Sequence, residues 1–91
     1  MLHVTEYARQ KLKRALRAKV DDPQVGLRLT IRGPGQFGLS IDMEEPGDQV
    51  VEHEGSKVLL VGRRLATSLD GVTVDIEDTP EGPQIVVFRE A

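Results

Sequence analysis

From Thr5 to Lys19 the apolar residues Ala8, Leu12, Ala15 and Leu16 fall at i, i+4, i+7 and i+8, the spacing of a single stripe on an α-helix. At about 100° per residue, Arg9, Lys11, Lys13, Arg14 and Arg17 lie outside that stripe. The segment therefore predicts an amphipathic helix with a basic outer side. Thr5 stands where an N-cap is expected, and Glu6 stands in the first turn, where a carboxylate suits the positive end of the helix dipole. Asp21-Asp22-Pro23 is expected to end the helix, because a proline pushes the residue before it out of the helical region.

Beyond Pro23 the period changes from 3.6 to 2. "VGLRLTIRG" sets Leu27, Leu29 and Ile31 against Arg28, Thr30 and Arg32, and "FGLSIDM" places Phe37, Leu39, Ile41 and Met43 on one face. "EEPGDQ" reads as a turn, and "VVEHEGSKVLLV" as two strands around a tight Glu54-Gly55 turn. "GRRLATSLDG" predicts a short helix closed by Gly71. "VTVDIED" alternates again, "TPEGP" reverses the chain, and "QIVVFRE" forms the last strand. The reading is a compact, β-rich α+β fold. It has roughly six mainly antiparallel or mixed strands, an N-terminal amphipathic helix and one short helix, in a single domain spanning 1–91.

Composition narrows the options. Ninety-one residues suffice for one modest core, and with 3% aromatic residues that core must be built from Val, Leu and Ile. No unbroken apolar run exceeds four residues, the length of Val58 to Val61. A membrane-spanning helix takes about 20, so no membrane association is expected. "MLHVTEYARQ" contains no apolar signal stretch, which makes the cytoplasm the expected location. There is no cysteine, which removes disulfides, thiolate metal sites and cysteine nucleophiles together. Residues 1–36 carry a balance of +5 and residues 37–91 one of −8. A short basic segment beside a broad acidic remainder, with few aromatics, is not the profile of a nucleic-acid binder, so none is expected as a partner.

Four constellations could carry chemistry. Gly33-Pro34-Gly35-Gln36-Phe37-Gly38 spells the G-x-G-x-x-G of a dinucleotide loop. That loop must open a helix whose N-terminus meets the pyrophosphate, yet "GLSIDMEE" has the period of a strand, and Pro34 removes an N–H. The glycines are read as a hairpin bend. His53 with Glu52 or Glu54 is the most plausible metal set, though no metal is expected; His3 lies on another element. The carboxylates of Asp42 to Asp48 lack the spacing of a calcium loop. Ser40, Ser56 and Ser68 have neither a nucleophile-elbow context nor an evident histidine partner, so no catalytic residue and no enzyme activity are assigned. The basic helix face, Arg9, Lys13, Arg14 and Arg17, reads either as a solvated surface or as a docking site for a partner.

In order and spacing, "VTEYARQKLKRAL", "GLRLTIRGPGQFGLSID" and "EPGDQVVEHEGSKVLLVGRRLATSLDGVTVDIEDTPEGPQIVVFRE" resemble the HesB/IscA-like A-type iron–sulfur carriers over nearly the whole chain. The first matches their opening helix, the second their first hairpin, the third the remainder. The resemblance implies a β-rich α+β fold, a cytoplasmic and usually oligomeric protein, and protein partners from the iron–sulfur assembly machinery. Members carry clusters on three cysteines, one in a glycine-rich loop after the first long strand and two in a C-terminal Cys-Gly-Cys. Here the corresponding loop, with Gly33, Gly35, Gln36 and Gly38, keeps glycines and has no cysteine, and the sequence runs to "FREA" without a Cys-Gly-Cys. The expectation is a cysteine-free, non-enzymatic accessory or partner-binding protein without a cofactor. A carrier of iron on histidine and carboxylates is the alternative, and a small enzyme of unknown reaction the residual one.

Overall fold

Residues 1–89 are described by a computed structural model. In chain order the elements are β1 (His3–Val4), α1 (Glu6–Lys19), β2 (Val25–Gly33), β3 (Gln36–Met43), β4 (Gln49–His53), β5 (Ser56–Val61), α2 (Arg63–Ser68), β6 (Thr73–Thr79) and β7 (Gly82–Phe88). They form two sheets, one of order β3-β2-β5-β4 and one of order β1-β6-β7. Three antiparallel hairpins, β2–β3, β4–β5 and β6–β7, account for most of the pairing. Two parallel contacts join distant segments: β2 to β5, and β1 to β6.

Helix α1 starts where its cap dictates. The Thr5 hydroxyl accepts the Ala8 N–H at 3.1 Å and donates to Asp75 Oδ1 at 2.6 Å, so one side chain both caps the helix and ties it to β6. At the other end Val20 is extended while its N–H still reaches Leu16 O. The helix thus stops two residues ahead of the point that Pro23 alone requires. Ala8, Leu12 and Leu16 are buried and pack with Leu27, Leu29, Val58, Leu59, Val61, Val74 and Ile76 from both sheets. Full burial of a side chain such as Leu12 contributes about 2 kcal/mol. The helix is therefore the element that joins the two sheets into one core. In β5, Val58 to Val61 are all buried, as befits a strand flanked by β2 and β4 and covered on both faces.

The structure departs from the sequence reading in three places. Among the described residues there are seven strands where roughly six are read, because β1 is a two-residue pairing too short to show a period. Ala15, assigned to the apolar stripe, is exposed and lines a crevice with Leu39 and Ile85. The apolar face of the β2–β3 hairpin also outruns its cover. Leu27 and Leu29 are buried, but Ile31 is 61% and Met43 57% exposed, and Ile41 is exposed as well. Alternation sets which side a residue faces; what packs over that side sets whether it is dry, and Ile31, Ile41 and Met43 are not part of the core cluster.

Candidate functional site

The glycine-rich segment closes the β2–β3 hairpin. Gly33 pairs with Gln36 across Pro34-Gly35, and Gly35 has φ +70°, the proline-then-left-handed-glycine pattern of a tight turn. A register shift lies between Ile31 and Gly33, so Arg32 sits at a bulge. Gly38 is not in the loop at all: it lies in β3 opposite Thr30. The Arg32 side chain crosses it so closely that a Cβ on Gly38 would collide with Arg32 Nε. Strand β3 continues directly from the turn, with no helix N-terminus there to meet a phosphate. A cavity of about 460 Å³ opens beside the turn, bounded by Arg32, Gln36 and Phe37 on one side and by Pro83, Gln84 and Ile85 on β7.

The other assigned residues meet in a second place. The β4–β5 turn has positive φ at both Glu54 (51°) and Gly55 (80°), which folds the hairpin tightly against α1. His53 and Glu54 thereby face Lys13, Arg14 and Arg17 across a cavity of about 450 Å³ that also reaches Glu6 and Gln10. Lys13 Nζ lies 3.3 Å and His53 Nε2 3.4 Å from Glu54 Oε1. Arg17 donates to Ser56 Oγ at 3.2 Å and to the Asp22 carbonyl at 3.4 Å. Arg9, Lys13 and Arg17 are half-buried along one line of the helix, and Arg14 is exposed. No sequence spacing joins residues 13–17 to residues 53–54; only the fold makes them neighbours.

The metal candidates do not converge in the same way. Glu52 is exposed and precedes His53 in a strand, where successive side chains point to opposite faces. His3 belongs to the other sheet. Among the described residues no three His, Asp or Glu side chains gather as a metal-binding group.

The carboxylates around Asp42 to Asp48 are organised by a cation that alternation places only on the polar face. Arg28 Nη2 and Nη1 donate to the two oxygens of Asp48 at 2.7 and 3.1 Å, Nε donates to Asp42 at 2.5 Å, and Nη2 also reaches the Met43 carbonyl at 3.1 Å. These hydrogen bonds hold the Asp48 and Asp42 carboxyls below the usual range, and raise the guanidinium of Arg28 in return. At the far end of α1, the Tyr7 hydroxyl donates to Asp78, which lowers the carboxyl of Asp78 and raises the phenol.

No family model matches the chain. Individual proteins do. The chain is 35% identical over 91 residues to a protein encoded 5′ of nifU in Cereibacter sphaeroides, an alignment covering 94% of this chain and 84% of that one. It is 33% identical over 91 residues to the iron–sulfur cluster insertion protein ErpA of Marinobacter nauticus, covering 94% and 81%. The fold is similar to that of Escherichia coli SufA, a protein involved in biosynthesis of iron–sulfur clusters, with a TM-score of 0.70 at 23% identity over 97% of this chain and 84% of the other.

Proposed function

The chain belongs to the HesB/IscA-like family of A-type iron–sulfur carriers, and from that premise we propose that it is a non-enzymatic accessory of iron–sulfur cluster assembly that engages protein partners and holds no cluster on thiolates of its own. The observation that carries this reading is the turn at Gly33–Gln36. We read it as the counterpart of the family's glycine-rich cysteine loop, and it is a closed Pro34-Gly35 hairpin with no thiol in it. Iron–sulfur clusters are held by thiolates, with histidine replacing some of them in a minority of sites. These 91 residues contain no cysteine and two histidines, one on each sheet. The residues present therefore do not fit a cluster.

What the chain keeps is the family frame. No described helix is long and apolar enough to cross a membrane. Partners from the assembly machinery are the natural reading of a frame retained without its ligands. The basic residues Arg9, Lys13, Arg14 and Arg17 offer such proteins a charged face.

The test has two arms. Anaerobic reconstitution with iron and sulfide, followed by visible absorption, is expected to leave the protein without a cluster spectrum; a stoichiometric spectrum sinks the reading. Affinity capture from the native cell is expected to recover cluster-assembly proteins, and their absence under conditions that recover them with a cysteine-bearing relative counts against it.

A further inference from the structure

The cations around the cavity between α1 and the β4–β5 turn are not equivalent. Lys13 faces the carboxylate of Glu54 and balances its charge, and the imidazole of His53 lies against the same oxygen. Arg17 is held in place by Ser56 and the Asp22 carbonyl, which uses only part of its five-donor fork. Arg14 makes no ion pair or hydrogen bond among the described residues. Arg14 and Arg17 stand three residues apart on α1, and so on one face of it. Two guanidinium groups at one end of a cavity are a donor set for a tetrahedral oxyanion, because each planar fork can give two parallel hydrogen bonds to phosphate oxygens.

The cavity is larger than a phosphate needs. Its volume of about 450 Å³ lies in the range of small-molecule sites. Along the helix, Glu6 stands roughly 12 Å from Arg14 at about 1.5 Å rise per residue, with Gln10 between them. Glu6 can accept hydrogen bonds from hydroxyl groups, and Gln10 can both accept and donate. No phenylalanine, tyrosine or tryptophan lines the cavity, and the imidazole of His53 is already turned to Glu54, so a nucleobase would gain little stacking there.

We propose that this cavity is a binding site for a small phosphorylated polyol or sugar, with the phosphate on Arg14 and Arg17 and the hydroxyl groups directed to Gln10 and Glu6. The site is independent of cluster chemistry and of the glycine turn.

The test is a titration of the full chain followed by NMR of the backbone amides and the His53 ring, with inorganic phosphate and glucose 6-phosphate as probes. Potassium chloride holds the ionic strength constant. Both probes are expected to give saturable shifts confined to residues 6–17 and 53–56, with glucose 6-phosphate binding at least about fivefold more tightly. Arg14→Ala, at an exposed and unpaired position, is expected to weaken both by about tenfold, in line with the loss of a charge-assisted pair. Glu6→Ala is expected to weaken glucose 6-phosphate and leave phosphate unchanged. Unsaturable shifts spread over all basic residues overturn the proposal, as does an Arg14→Ala variant that binds like the parent. Equal affinities for the two probes reduce the cavity to a bare anion site and also overturn it.

Discussion

Arg28 and Asp48 form a bidentate pair across the sheet, with N–O distances of 2.7 and 3.1 Å and side chains that are 14% and 3% exposed. The same Asp48 oxygen accepts the Glu45 N–H at 2.8 Å. One carboxylate thus closes the β3–β4 turn and anchors it to β2. Asp48→Ala is expected to lower stability by about 2–3 kcal/mol, because it leaves a largely buried guanidinium short of an acceptor. Asp42 and the Met43 carbonyl still hold Arg28, which keeps the loss at the low end for a broken buried pair. The midpoint of urea unfolding measures it.

The pH dependence follows from the same pair. Both Asp48 and Asp42 have carboxyls lowered by Arg28 in the folded protein. Their contribution is fully present above the ordinary aspartate value of about 3.9 and is lost as pH falls through the lowered folded values. The thermal midpoint is therefore expected to hold down to about pH 5 as far as this cluster is concerned and to drop below about pH 4. In the double variant Asp42→Asn, Asp48→Asn the acid limb flattens while the plateau falls. An acid limb as steep as the parent's would show that other carboxylates govern it.

Thr5 tests the joint between α1 and β6. Thr5→Ala removes the N-cap acceptor for Ala8 and the donor to Asp75 in one step. The expected loss is about 1–2 kcal/mol. Thr5→Ser keeps both bonds and is expected to recover most of it, as read by urea unfolding followed at a helix-sensitive wavelength.

Two glycines near the β2–β3 turn are expected to respond differently. Gly35 has φ +70°, so Gly35→Ala forces a left-handed alanine and costs about 1 kcal/mol even though nothing stands near the new Cβ. Gly38→Ala has ordinary backbone but meets Arg32. Arg32 is exposed and can swing away, so the stability change is expected to be smaller and the Arg32 side-chain resonances to move. A larger loss at Gly38 than at Gly35 contradicts this assignment of strain to the turn.

Most of the architecture can be read along the chain wherever a local rule is strong. The Thr5 cap, the Glu54-Gly55 turn and the Pro34-Gly35 bend each follow from a few adjacent residues, and each lies where those residues point. What cannot be read is set by partners far away in sequence. Arg28 looks like any polar residue of an alternating strand until β4 brings Asp48 beside it. Ile31, Ile41 and Met43 obey alternation yet stay wet, because none of them reaches the core cluster. The meeting of Arg14 and Arg17 with His53 is of the same kind: each residue is visible alone, and their proximity exists only in the folded chain.

The short pairing of β1 with β6 has a consequence for the order of events during synthesis. His3 and Val4 lie against Thr73 and Val74, the Thr5 N–H donates to the Val74 carbonyl, and the Thr5 hydroxyl reaches Asp75. Once synthesised, α1 therefore lacks part of its anchoring until some 70 further residues have followed Thr5. Closing so long a loop delays the reward for early contacts. Until then the apolar stripe of α1 can be sheltered only by the hairpins that emerge next. The nascent chain is expected to gain protease resistance in one late step, as β6 clears the exit, and not gradually with length.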